Sequence, residues 1–146
     1  MSLGKEGEKS FIQVMEMNNI TAVDVSGNPE YWTQDIDFII TNAEGRSKTV
    51  EVKNDSRINR TGNMYIEIAN PRSQGGLGWF SFCKADYLAY GDAIGRKFYM
   101  MEISALRQYI DNNRDKLRKA YTYDGSIGYL VNLRDVDNLI ICALEY

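Results

Sequence analysis

The sequence of 146 residues contains no histidine. This absence excludes Ser-His-Asp and Cys-His nucleophilic sites, HExxH zinc sites and acid–base catalysis by imidazole. Any catalysis by this chain must therefore depend on carboxylates, lysine, tyrosine or a hard metal ion. The formal net charge is only −3, which argues against broad nonspecific binding to nucleic acid but leaves room for a local basic face.

Cysteines and long apolar runs are also scarce. Cys83 and Cys142 lie in apolar stretches, so we expect buried thiols rather than a disulfide. No uninterrupted apolar run approaches the roughly 18 residues of a membrane span, and residues 1–10 lack the apolar core of a signal peptide. These absences favour a cytoplasmic protein without membrane contact. The length and the hydrophobic fraction of 44% predict a single domain over residues 1–146.

Hydrophobic periodicity predicts a first helix, a hairpin-rich run of strands, and then alternating helices and strands. The predicted elements are a helix over 4–19, strands over 20–25, 37–41, 49–53 and 64–69, a helix over 84–90, a strand over 97–103, a helix over 105–119 capped by Ser104, a strand over 127–133 and a final segment over 135–146 that fits either helix or strand. This order favours an α/β protein with a mixed sheet flanked by helices, and α+β is the alternative.

The predicted hairpin brings charged residues together. If its turn is centred on Glu44, Asp37 lies opposite Glu51 and Asp35 lies opposite Lys53. Period-two alternation places Glu51 and Lys53 on one face. Hydrophobic neighbours on both strands indicate that the hairpin is largely buried, so charges at these positions need compensation.

A divalent cation would provide that compensation. Two carboxylates about 4 Å apart repel by about 4 kcal/mol at an effective dielectric constant of about 20. Mg²⁺ or Mn²⁺ bound by Asp37 and Glu51 would offset this repulsion and supply a water molecule as nucleophile. Lys53 would lower the pKa of that water or stabilise the charge that develops on a phosphate. Glu8 adds a carboxylate to the core-facing stripe of the first helix.

Asp37, followed fourteen residues later by Glu51-Val52-Lys53, resembles the bipartite motif of the PD-(D/E)XK nuclease superfamily, which includes restriction endonucleases and archaeal Holliday junction resolvases. The resemblance implies a restriction-endonuclease-like core: a first helix, a three-stranded antiparallel meander, a crossover helix and a further strand. About one (D/E)xK triplet is expected by chance in such a chain, so the resemblance depends on the strand context and on the acids around the triplet. The motif's proline is replaced by Ile36.

In resolvase-like branches of the superfamily the first helix also carries a glutamate that joins the metal site, and the segment from Gly4 to Phe11 is similar, with Glu8 at the matching place. The resemblance covers residues 4 to 70 by motif and the remainder by element order. It implies an Mg²⁺-dependent endonuclease acting on DNA, in which Asp37 and Glu51 bind metal, Glu8 assists and Lys53 supports the attacking water. The choice of DNA rests on this analogy alone.

Cations after the motif are candidate contacts to nucleic acid. Arg57 and Arg60 follow Lys53 in a polar loop, and Arg72 and Lys84 lie near an aromatic-rich segment. The alternatives are a solvated loop for the two arginines and a core-packing cluster for the aromatics Trp79, Phe80, Tyr87 and Tyr90.

The alternative function is a catalytically inactive nuclease-fold module that binds nucleic acid or a protein partner. Such a module would not require a divalent metal ion. A homodimer would suit a small nuclease that acts on duplex DNA, although no feature of the sequence identifies an interface.

Overall fold

The computed structural model describes residues 2–146, with Gln74 by its backbone alone, and within these residues nine strands form two sheets. The helices are α1 (Leu3–Met17), α2 (Pro29–Trp32), α3 (Ile58–Thr61), α4 (Trp79–Phe82) and α5 (Ile103–Asn113). The strands are β1 (Thr21–Asp24), β2 (Phe38–Thr41), β3 (Ser47–Asp55), β4 (Asn63–Ala69), β5 (Tyr87–Asp92), β6 (Lys97–Glu102), β7 (Arg118–Tyr121), β8 (Ile127–Asn132) and β9 (Ile140–Glu145). The protein is therefore a mixed α/β protein, as predicted.

The larger sheet has the strand order β1-β2-β3-β5-β6-β9. Strands β1, β2 and β3 form an antiparallel meander, β5 runs parallel to β3, and β6 and β9 continue antiparallel. The smaller sheet is antiparallel, with the order β4-β8-β7. The connection from β3 to β5 contains α3, β4 and α4, and not the crossover helix that the resemblance implies.

Helix α1 covers one face of the larger sheet. It begins after Ser2, whose hydroxyl accepts from the backbone N–H of Lys5, which satisfies one of the free donors of the first turn. Phe11 is fully buried and packs against Phe38 of β2 and Phe98 of β6, with ring centroids 5.1 and 5.6 Å apart. The apolar stripe of the helix therefore fixes its position over the hairpin.

A second core lies on the opposite face of the larger sheet. Along β5, Leu88 and Tyr90 belong to this core, whereas Ala89 between them packs with Phe11 in the first. The second core joins the larger sheet to α5 and to β4 and β8 of the smaller sheet. The centre of the larger sheet is thus buried on both faces, which makes charged side chains in β3 costly.

The predicted hairpin register is confirmed. Phe38 pairs with Val50 and Ile39 pairs with Thr49, which is the alignment expected for a turn centred on Glu44. Asn42 organises the turn, because its side-chain oxygen accepts from the backbone N–H groups of Glu44 and Arg46.

The helix predicted over residues 84–90 is wrong, since Tyr87–Asp92 forms the central strand β5. A continuous apolar run is typical of a parallel strand buried on both faces, and periodicity does not distinguish it from a buried helical segment.

The helix predicted over 105–119 is also misplaced. It extends from Ile103 to Asn113, Ser104 lies inside its first turn, and the capping position belongs to Glu102, which makes no side-chain cap bond. The basic stretch after it continues into β7, where pairing with β8 overrides helix propensity. The final segment resolves to strand β9.

Both cysteines are free thiols, as expected; Cys83 is buried and Cys142 is half-buried. Within residues 2–146, no helix combines the length and the apolar character needed to cross a membrane.

Candidate functional site

Three carboxyl groups and a lysine meet where β2 begins beside β3. Asp35 and Asp37 immediately precede β2, and Glu51 and Lys53 lie on one face of β3. The position of Asp37 is fixed by its side chain, since Oδ2 accepts from the backbone N–H of Val52 at 2.9 Å. The structure therefore brings together the Asp37, Glu51 and Lys53 that the sequence predicts as the site.

Glu51 is the most enclosed member of this cluster, with only 2% of its surface exposed. Its Oε1 lies 3.0 Å from the Nζ of Lys53, and its Oε2 is buried without a hydrogen-bond partner. The Oδ2 of Asp35 is likewise buried and unpartnered. A buried acceptor without a partner costs on the order of 1–3 kcal/mol, so the cluster is destabilising as it stands.

Burial and mutual repulsion perturb the ionisation of all three carboxyls. Burial raises the pKa of Glu51 to about 10 against the opposing charge of Lys53, and the charges of Asp35 and Asp37 add to the increase. Burial likewise raises the pKa of Asp35 to about 6. The pKa of Asp37 is raised by burial, although the bond from Val52 opposes the change.

Lys53 contacts a buried carboxyl and is itself partly exposed to solvent. Burial lowers the pKa of its amine, but the charges of Glu51 and Asp35 more than reverse this, so the pKa lies above its ordinary value. The Nζ lies 4.6 Å from the centre of the Trp79 ring, a distance at which the ring attracts the cation. About a third of the side chain is exposed, so the ammonium is accessible from outside.

Asp35 belongs to the site although its role was not predicted. The predicted hairpin register places it opposite Lys53, but strand pairing begins only at Phe38, and the sequence gives no sign of the left-handed backbone of Asp35, with φ of +55°. Such a conformation in a residue with a side chain is uncommon and often marks a functional site. Neighbouring contacts hold it in place: Cys83 Sγ donates to the Asp35 carbonyl at 3.5 Å, and Lys84 N–H donates to the Gln34 carbonyl at 2.9 Å.

Helix α1 brings Glu8 to the border of the cluster. Glu8 is half-buried, and its pKa is raised by burial and by the nearby carboxylates of Asp37 and Asp24. The close approach depends on Gly7, because a Cβ there would stand 2.6 Å from the Cβ of Asn54 in β3. The predicted inward position of Glu8 is thus reproduced, at the edge of the site and not in its centre.

The donor set suits a hard divalent cation, which takes carboxylate oxygens and retains water ligands. Glu51 Oε2 and Asp35 Oδ2 are the buried oxygens that such an ion would satisfy. Among residues 2–146, no three His, Cys, Asp or Glu side chains stand ready as a metal-binding group. Glu8 or Asp37 would therefore have to change rotamer, or bind through water, to complete a coordination shell with Glu51.

A cleft of about 920 Å³ opens beside Lys53. It is bordered by the end of β3, by α3, by β4 and by the β7–β8 hairpin. Arg57 and Arg60 line it, are exposed, and form no ion pair within residues 2–146. Arg72 and Lys84 are exposed outside the cleft lining, so the structure brings two of the four predicted phosphate contacts to the cleft.

The cleft is lined by two of the four aromatic residues that the sequence suggests, Trp79 and Tyr90, and by three others, Tyr65, Tyr121 and Tyr123. Phe80 and Tyr90 are buried in the second core, which agrees with the core-packing alternative, and Trp79 borders the cleft beneath Lys53. The exposed rings are Tyr121 and Tyr123, at the tip of the β7–β8 hairpin. The available signal was the Asp-Gly turn at residues 124–125 just before the largely apolar run of β8, but the overlong helix prediction obscured it.

Comparisons of the chain with protein-family models, with curated proteins and with solved structures gave no significant match. The function is therefore inferred from the side chains of the cluster and of the adjoining cleft.

Proposed function

We propose that this protein is a metal-dependent nuclease that hydrolyses phosphodiester bonds in DNA, with Asp37, Glu51 and Lys53 at its hydrolytic centre. The main support for the proposal is the carboxyl of Glu51, which is buried in a central strand and has one oxygen without a hydrogen-bond partner. Unpaired buried acceptors next to other carboxyls are typical of sites that an ion or a reacting group completes.

The charge of the cluster supports this proposal. Three ionised carboxylates and one ammonium would carry a net charge of −2 in a largely buried space, and one divalent cation would neutralise it. Asp37 uses one oxygen for the bond from Val52, which fixes the carboxylate and leaves its second oxygen for a cation. Mg²⁺ or Mn²⁺ would supply a bound water of lowered pKa as the nucleophile.

Each side chain of the cluster has a separate role in the proposed reaction. Asp37, just before β2, and Glu51 of β3 would hold the cation, and Glu8 of α1 would contribute a further oxygen. With Glu51 bound to the cation, the ammonium of Lys53 would be free to stabilise the negative charge that develops on the phosphate in the transition state. The charge of Asp35 favours the protonated form of Lys53 by raising its pKa, and the Trp79 ring, centred 4.6 Å from the Nζ, attracts the same ammonium.

The strand arrangement is in keeping with this chemistry. The meander of β1, β2 and β3 with β5 parallel to β3 resembles the core of the PD-(D/E)XK nucleases, and the motif residues fall at the start of β2 and on β3. The connection from β3 to β5 differs from that core, since β4 leaves to build a second sheet.

A cleavage assay tests the proposal. Plasmid, linear single-stranded and branched DNA would be incubated with Mg²⁺, Mn²⁺ or EDTA and the wild type, Asp37→Asn or Glu51→Gln. Glu145→Gln serves as the control because it changes an exposed strand glutamate far from the site in the chain. We expect metal-dependent cleavage by the wild type and the control, and a loss of 100-fold or more in both site variants. Equal cleavage by the wild type and both site variants would exclude this hydrolytic centre.

The alternative function is an inactive module that binds nucleic acid. The 3.0 Å ion pair between Lys53 and Glu51 favours it, because the cluster partly neutralises itself without a cation. Such a module would bind DNA through Arg57 and Arg60, would cleave none of the substrates, and would show no stabilisation by divalent ions.

A further inference from the structure

The tip of the β7–β8 hairpin presents two tyrosines to the cleft. Tyr123 is fully exposed and Tyr121 is 72% exposed, so neither ring contributes appreciably to the core. Both line the cleft that contains Lys53. Isolated exposed aromatics are common on proteins, but two rings two residues apart beside a candidate active site form a surface that can stack on flat ligands.

Hydrogen bonds define the backbone conformation of the hairpin tip. Thr122 N–H donates to the Ser126 carbonyl at 3.0 Å, and Gly125 N–H donates to the Thr122 carbonyl at 3.0 Å. Ser126 is buried, and its Oγ lies 2.8 Å from the hydroxyl of Tyr65 in β4, which ties the tip to the neighbouring strand. A preorganised tip loses little conformational entropy when a ligand binds, so its exposed rings are well suited to recognition.

The charges of the cleft distinguish between kinds of nucleic acid. Duplex DNA carries one negative charge per about 1.7 Å of its axis, and proteins that hold it by its backbone neutralise many phosphates. The charged residues that line this cleft are balanced, with three cations and three carboxylates: Lys53, Arg57, Arg60, Asp55, Glu67 and Asp124. Such a lining provides few phosphate contacts, so affinity must come from another source, and base stacking on aromatic rings is that source in single-strand binders.

We infer that the cleft binds single-stranded nucleic acid, with unpaired bases stacked on Tyr121 and Tyr123 and the backbone passing Arg57 and Arg60 toward Lys53. This inference deepens the proposed function, on which it rests, by naming the substrate class of the same site. In a duplex the faces of the bases are covered by stacking on neighbouring bases and are not accessible to the two rings. In an unpaired stretch or a flap the faces are accessible. The nucleophile would then attack a phosphate of an unpaired strand.

Binding is measured separately from cleavage. Fluorescence anisotropy in EDTA would follow a labelled 15-nucleotide single strand of DNA, the same sequence as RNA, and the 15-base-pair DNA duplex. The variants are Tyr121→Ala and Tyr123→Ala, with Tyr123→Phe as a control that keeps the ring. Ile141→Ala is the matched control for loss of an exposed apolar side chain, since Ile141 is 56% exposed on β9 outside the cleft. Removal of the exposed Tyr123 ring leaves the core intact, so this variant folds.

We expect the single strand to bind at least tenfold more tightly than the duplex. Each alanine variant should weaken single-strand binding by about 5-fold to about 150-fold, the range that corresponds to stacking of one base, while Tyr123→Phe and Ile141→Ala bind as the wild type does. Duplex binding as tight as single-strand binding, or alanine variants that bind as the wild type does, would overturn the inference.

The two proposals fail in different ways. Tight single-strand binding in EDTA without cleavage in Mg²⁺ or Mn²⁺ retains the binding inference and excludes the nuclease. Metal-dependent cleavage of duplex DNA that is insensitive to both tyrosine substitutions retains the nuclease and excludes the single-stranded substrate. Binding of the RNA strand in preference to the DNA strand retains the stacking cleft and contradicts the choice of DNA.

Discussion

Replacement of Glu51 by glutamine should stabilise the protein in the absence of divalent ions. In the folded protein the carboxyl holds its proton up to a pKa of about 10, whereas in the unfolded chain it releases the proton near the ordinary glutamate pKa of 4.5. Between these two values the unfolded state gains free energy from ionisation that the folded state forgoes. The contribution of Glu51 to stability is therefore greatest below pH about 4.5 and declines as the pH rises toward 10.

The magnitude follows from the same two values. At pH 7 the difference of about 2.5 units between pH and the unfolded pKa corresponds to about 3 kcal/mol, at about 1.4 kcal/mol per unit. Glutamine has the same shape and does not ionise, so Glu51→Gln should recover up to about 3 kcal/mol, less any weakening of the 3.0 Å contact with Lys53. A gain of this size raises the melting temperature by about 6–12 °C in a protein of this length.

Thermal unfolding followed by circular dichroism in EDTA, at pH 5, 6, 7 and 8, measures this effect. The melting temperature of Glu51→Gln should exceed that of the wild type by an amount that increases with pH. Glu145→Gln, which changes an exposed glutamate, should match the wild type throughout. If Glu51→Gln is less stable than the wild type at pH 8, or if the difference does not vary with pH, the assignment of a buried and protonated Glu51 is refuted.

Three further substitutions probe the neighbours of Glu51. Asp35→Asn should stabilise the metal-free protein by up to about 3 kcal/mol at pH 8 and by nothing below pH 4, because the pKa of Asp35 is raised to about 6 and asparagine tolerates the same left-handed backbone; denaturant unfolding at both pH values checks this. Lys53→Met should keep metal-induced thermal stabilisation but lower the rate of DNA cleavage by about 100-fold to 1000-fold, since the ammonium is not a ligand of the cation and its role in the reaction is to stabilise the charge that develops on the phosphate. Gly7→Ala should destabilise the fold by about 1–3 kcal/mol, since its Cβ would meet Asn54 at 2.6 Å, and a melting temperature equal to that of the wild type would contradict the close approach of α1 to β3.

The hairpin could be predicted from the sequence because several local signals agree there. Asn42 and Gly45 mark the turn, and the period-two pattern on both sides fixes the register that places Asp37 beside Glu51. The position of Glu8 was accessible for a similar reason, since the apolar stripe of α1 defines its buried face.

The second sheet and the cleft could not be predicted in this way. Whether β4 joins the larger sheet or pairs with β8 is decided by contacts about 65 residues apart, such as the alignment of Met64 with Val131. A basic run such as residues 114–119 fits a helix end as well as a strand, so the hairpin that presents Tyr121 to the cleft was hidden. The left-handed Asp35 likewise depends on the packing of the segment around Cys83, which no local pattern encodes.

Titration of the protein with Mn²⁺ by isothermal calorimetry, in two buffers with different ionisation enthalpies, tests the central claim most directly. Because the cation must displace the proton of Glu51, binding should release about one proton, and the affinity should increase by about tenfold per pH unit between pH 6 and 8. Asp37→Asn and Glu51→Gln should abolish this binding, and Glu145→Gln should retain it. Absence of Mn²⁺ binding to the wild type, or proton-independent binding that survives both site substitutions, would contradict the assignment of Asp37 and Glu51 as the ligands of a catalytic metal ion.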